Sequence, residues 1–158
     1  MVGNINRIKD SDKGIQLPGG IVTMRSFIQP VTRIVIASFF VVVGVLHFLD
    51  PDPFLRIMPS ALPWHLELVY ISGFFEILGG VGLLVGFARK WAAWGLIALL
   101  AAVYPANINM LVNEIYLEGM SEDKWLLWGR MPLQFVLAFG VCWVGGIWPF
   151  GDDKESAA

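Results

Sequence analysis

The chain has 158 residues, of which 56% are hydrophobic and 15% charged, with a formal net charge of −2. Soluble domains carry about 25% charged residues, so the composition excludes an ordinary soluble fold, and no basic surface exists to suggest nucleic acid. The one cysteine, Cys142, excludes an internal disulfide and any C-x-x-C dithiol chemistry.

Residues 1–30 read as a flexible cytoplasmic tail, broken by Gly14, Pro18, Gly19 and Gly20. They hold no apolar core beside Met1, so the first span is expected to act as its own uncleaved insertion signal. Four apolar runs of transmembrane length follow, at about 31–49, 66–88, 91–112 and 132–150. They predict one domain over 31–150, an all-α membrane protein built as a four-transmembrane-helix bundle. Between the first two spans, Phe54 to His65 is apolar but short and punctuated by prolines. It reads as an interfacial segment, a loop or short helix lying over the bundle end. Arg89-Lys90 reads as a tight basic turn, 113–131 as a polar loop, and 151–158 as a charged tail.

Four spans place both termini on one side of the membrane. With the termini cytoplasmic, eight of the 11 lysines and arginines lie on that side; Arg56, Lys124 and Arg130 lie on the other. The positive-inside rule therefore favours cytoplasmic termini in a multi-pass protein of the plasma membrane. The tryptophans cluster near span ends, where amphipathic rings sit at the headgroup level.

The second span carries a carboxylate, Glu76, near its middle. A charged side chain at that depth is unfavourable by roughly 2.5–3.5 kcal/mol on insertion scales, so it must face protein or water, lose its charge or find a partner. At about 100° per residue, Ser72, Gly73, Gly79, Gly80 and Leu83 share its face. Such a stripe of small residues lets a neighbouring helix approach closely.

His47 in the first span and Asn107 in the third lie nearer the outer surface. Helical side chains lean toward their own N-terminus. The first and third spans run opposite to the second, so His47 and Asn107 lean inward while Glu76 leans outward. The three are expected to meet in one polar pocket in the outer half of the bundle. Tyr104 and Asn107 share a face with Glu114, whereas Asn109 points about 160° away from Asn107. Pro105 removes a backbone donor and frees a carbonyl one turn earlier. Arg130 and Gln134 begin the fourth span at the same level. Ser72, Tyr104, Asn109, Arg130 and Gln134 are thus the supporting candidates. Each polar residue also has a packing reading: Glu76 as an acid bonded to a neighbouring helix, His47 as an interhelical hydrogen-bonder, the asparagines as glue between helices. Gly82 and Gly86 form a small-x-x-x-small pair suited to packing within the chain. One intramembrane histidine and one carboxylate do not make a metal site.

Several motifs together resemble the DoxX family of small four-span membrane proteins. They are Gly44-Val45-Leu46-His47-Phe48 with Pro53-Phe54 and Pro59, Ile71-Ser72-Gly73 with Glu76 and Gly79-Gly80, Pro105-Ala106-Asn107-Ile108-Asn109-Met110, and Arg130-Met131-Pro132-Leu133-Gln134. The resemblance covers about 31–150 and implies a redox-associated membrane protein more than a defined enzyme. The convergence of His47, Glu76 and Asn107 then suggests that such a protein binds a quinone or similar lipophilic molecule as a subunit of an oxidoreductase complex, with electrons supplied by a partner. The alternative is a structural or assembly subunit with no chemistry of its own. A homo-oligomer fits either reading.

Overall fold

The computed structural model describes residues 20–116 and 124–147, with side chains described from residue 28 onward and that of Leu126 left aside. Five helices follow in chain order: α1 (Gly20–Leu49), α2 (Asp52–Ile57), α3 (His65–Leu84), α4 (Arg89–Val112) and α5 (Lys124–Gly145). Four of them hold segments long and apolar enough to cross a membrane: Ile28–Leu49, His65–Leu84, Arg89–Val112 and Leu127–Gly145. The protein is an all-α four-helix membrane bundle, with α2 as the short segment between the first two spans.

The long helices pack as a ring, α1 on α3, α3 on α4, α4 on α5 and α5 back on α1, while α2 touches α3 and α4. The α1–α3 seam is a backbone contact. A Cβ placed on Gly44 would stand 2.7 Å from the Gly73 carbonyl oxygen, and one on Gly80 would stand 2.8 Å from that of Ala37. Gly79 takes the Leu96 side chain and Gly82 takes Ala92, so α3 uses one set of small residues toward α1 and another toward α4. Its buried residues are Val69, Ser72, Gly73, Glu76, Gly79, Gly80 and Leu83, the stripe that the sequence spacing picks out. Gly86 meets nothing and lies past the helix end, so only Gly82 of that pair packs.

The core at one end of the bundle is Ile36, Ala37, Phe40, Leu83, Ala93, Leu96, Val141, Val144 and Ile147. Outside it, exposed Phe, Leu, Val and Ile side chains cover the helices, as a lipid-facing surface requires. Trp91 and Trp94 stand exposed near one end of the ring, and Trp64, Trp125 and Trp128 near the other. These are the two interfacial belts expected of a membrane bundle.

Several boundaries depart from the sequence expectation. The tail was expected to reach residue 30, but helix begins at Gly20, and Pro30 lies inside α1. Thirty residues at 1.5 Å each make α1 about 45 Å long. It therefore outruns a ~30 Å hydrocarbon core and carries its first turns beyond it. Residues 1–19 lie outside the described residues, as do 117–123 of the expected loop and 148–158 with the charged tail. Helix α3 stops at Leu84 instead of 88. Its turn is Val85 to Ala88, closed by N–H donation from Ala88 to the Val85 carbonyl at 3.1 Å, and Arg89-Lys90 opens α4.

Helix α5 starts at Lys124, not at Pro132, which sits within it. It ends before residue 150 because Gly146 takes φ 64°, and Ile147 and Gly146 donate to the Cys142 and Trp143 carbonyls at 3.1 and 3.4 Å. This is a Schellman stop, for which glycine is the favoured residue. Helix α4 ends the same way on Glu114, at φ 49°. Glu114 therefore leaves the Tyr104–Asn107 face and pairs with Lys124 instead.

Candidate functional site

The ring encloses a cavity of about 480 Å³ toward the α2 end. Its walls are mainly apolar: Phe39, Phe40 and Val43 of α1, Val69 of α3, Leu100 and Val103 of α4, and Leu133 and Leu137 of α5. Its polar groups are His47, Ser72, Glu76, Asn107, Arg130 and Gln134, one or two from each long helix. Phe54 and Ile57 of α2 close the end.

His47 and Glu76 are both buried, at 5% and 8% exposure. His47 Nδ1 lies 2.9 Å from the Val43 carbonyl oxygen and 3.4 Å from Glu76 Oε2. The nearer carbonyl fixes the Nδ1–H tautomer and turns the ring across the α1–α3 seam. Among the described residues Glu76 Oε2 has no hydrogen-bond partner. Buried polar atoms are ordinarily paired, and each exception calls for a reason. Here the orphaned oxygen belongs to a cavity wall. The histidine is placed by two neighbours. A Cβ on Gly73 would stand 2.6 Å from His47 Cβ, so glycine is what lets the ring approach α3. Phe54 stacks on the imidazole, with ring centroids 3.6 Å apart and planes 25° apart.

Asn107 lines the same cavity but does not touch the His47–Glu76 pair through any hydrogen bond described. Its Nδ2 donates to Gln134 Oε1 at 2.6 Å, and Gln134 Nε2 donates to the Leu100 carbonyl. That bond falls on the Leu100 carbonyl and not on that of Ala101, the one Pro105 frees. Arg130 sits at the rim with Nη1 2.7 Å from Met110 Sδ. Ser72 donates to the Val69 carbonyl at 2.9 Å, within its own helix.

Two supporting candidates stand elsewhere. Asn109 points away from Asn107, as the helix geometry requires, and donates to the Ile57 carbonyl at 3.0 Å, tying α4 to α2. Tyr104 packs edge-on against Phe135, with centroids 5.8 Å apart. His65 opens α3, with Nε2 3.0 Å from the Pro59 carbonyl oxygen. Among the described residues no group of three or more His, Cys, Asp or Glu side chains forms a metal-binding cluster. The residue that sequence spacing missed is Phe54. Its signal is the Asp52-Pro53 helix start beside it, which folds the interfacial segment back over His47.

A family model matches residues 36–145, more than half of the chain. The chain belongs to the family described as a domain of unknown function, DUF8561. The DUF8561 match begins at Ile36, the first core residue of α1, and ends with the last residue of α5, so it contains every polar residue of the cavity. No match is found among the curated proteins or among the solved structures.

Proposed function

We propose that this DUF8561 protein binds a quinone or similar lipophilic small molecule in its cavity, as a redox-associated membrane subunit. The observation that carries the reading is the cavity itself: about 480 Å³, mostly apolar, with polar groups converging from all four long helices. Ligand sites have that character, generally ~300–1,000 Å³ with a few placed polar groups. The resemblance to the DoxX family supports the redox context. In this reading Asn107, Gln134 and Arg130 offer donors to a ring carbonyl oxygen. Glu76 and His47 relay both protons to the reduced ring, the carboxylate and imidazole being 3.4 Å apart. Quinone reduction takes two electrons and two protons, and the electrons come from a partner oxidoreductase subunit.

The test is a titration of a short-tailed benzoquinone against purified wild type and Glu76→Gln. Saturable binding by wild type that weakens in the variant is expected. Equal, negligible binding in both would sink the reading.

The hydrogen-bonded run from Asn107 through Gln134 to Leu100 joins α4 to α5 and favours a second reading, a structural or assembly subunit. Under that reading Glu76→Gln lowers the activity of a parent complex only in proportion to the protein lost. For orientation we propose cytoplasmic termini in the plasma membrane, from the distribution of lysine and arginine. A cysteine at exposed Trp64, in a Cys142→Ser background, then reacts with an impermeant maleimide added outside the cell.

A further inference from the structure

Three seams of the ring are closed by specific contacts. The α1–α3 seam is sealed by backbone at Gly44, Gly73 and Gly80. The α3–α4 seam is packed at Gly79 and Gly82, and α2 lies over its outer end through the Asn109–Ile57 bond. The α4–α5 seam is bridged by Gln134 and Asn107.

The α1–α5 seam differs along its length. At the end away from α2 it is tight. Gln29 Nε2 donates to the Trp143 carbonyl at 3.2 Å, and Arg33 Nε to the Val144 carbonyl at 3.3 Å. Ile36 Cδ1 lies 2.9 Å from where a Cβ on Gly140 would stand. Two turns toward α2, Leu133 occupies the same flank of α5 as Gly140 yet is 62% exposed. On α1, Val35 and Phe39 occupy the flank opposite Ala37, Val41 and Gly44, and they are 61% and 48% exposed. All three side chains also line the cavity. A residue that both lines a cavity and faces outward marks its opening, and this one faces hydrocarbon.

We infer that the cavity opens sideways into the bilayer between the outer halves of α1 and α5, and that its ligand is a tail-bearing lipid whose tail lies in this seam. The inference rests on the proposed quinone reading and narrows it to isoprenoid-tailed molecules that load from the membrane. The head group reaches His47, Glu76 and Gln134, while Val35, Phe39 and Leu133 grip the first part of the tail. Apolar contact along the seam adds affinity with area, and no water-filled route through α2 is needed.

The test uses the full chain in vesicles of phosphatidylethanolamine and phosphatidylglycerol. The probe is a benzoquinone with an isoprenoid tail carrying a diazirine, and labelled positions are read by peptide mass spectrometry. Labels are expected on Val35, Phe39 and Leu133 and are lost when unlabelled isoprenoid quinone is added. Leu133→Trp fills the seam at a side chain that is already exposed; it is expected to lose the label while keeping its melting temperature. Quinone-competed labels on the outer faces of α3 and α4 would overturn the portal and leave the binding reading standing. Seam labels competed as well by phosphatidylglycerol would make the occupant an ordinary bilayer lipid and overturn the proposal. Absence of any quinone-competed label, with no binding in the titration, overturns both.

Discussion

His47 is held by three neighbours of different kinds: a carbonyl at 2.9 Å, a carboxylate at 3.4 Å and an aromatic face at 3.6 Å between centroids. None of these contacts satisfies Glu76 Oε2. A residue retained for packing would have its polar atoms paired, because a half-satisfied buried network costs more than an apolar one. Glu76→Gln keeps the shape and removes the ionisable carboxyl. Its melting temperature in detergent is expected to match or exceed that of wild type, which thermal unfolding followed by fluorescence will read. A clear drop would return Glu76 to a packing role. Gln134→Leu should behave oppositely. It strips the Leu100 carbonyl and the Asn107 amide of their partner. A loss of about 0.6–1.7 kcal/mol is expected, the range of interhelical hydrogen bonds in membranes.

At the scale of the element, α3 is organised by what its neighbours can touch. With no hydrophobic drive between helices in lipid, association comes from close packing, and small residues permit it. Gly73 is the sharpest case, since a Cβ there meets His47 on one side and the Gly44 carbonyl, 2.9 Å away, on the other. Backbone cannot step aside as a flexible side chain does. Gly73→Ala is expected to cost about 1–3 kcal/mol, as overpacking does, and to displace His47 from Glu76. Gly95 of α4 has nothing within 4 Å of its would-be Cβ. Gly95→Ala should be neutral or gain up to about 1 kcal/mol from helix propensity. Comparing the two melting curves separates a packing glycine from an incidental one. If both variants lose stability equally, the close approach at Gly73 is not what holds the seam.

For the whole molecule, four seams of unequal tightness turn a helix bundle into a container. Among the described residues, the cavity-lining side chains that also face outward are Val35 and Phe39 of α1 and Leu133 of α5. The exposed Glu114–Lys124 pair joins the ends of α4 and α5 outside the spans, where the neighbouring carboxylate raises the Lys124 ammonium above its ordinary value. A raised lysine contributes stability below its unfolded value and loses it as pH rises through the folded one. Exposed pairs contribute little in any case. Lys124→Gln is therefore expected to leave the neutral-pH melting temperature unmoved; a marked loss would make this pair a structural clasp. The spans, the buried face of α3 and the level at which His47, Glu76 and Asn107 gather were legible in the residues themselves. Hydrophobic run length and 3.6-residue periodicity are local properties, and a bilayer enforces them strictly. The helix ends were less legible, because αL stops at Gly146 and Glu114 depend on backbone geometry that composition does not signal. Tertiary structure alone decided that Asn107 pairs with Gln134 instead of Glu76, that Phe54 folds over His47, and that Val35, Phe39 and Leu133 line the cavity while facing outward. Each depends on how far apart two helices stand at a given depth, and that distance belongs to the packed bundle rather than to any one segment of it.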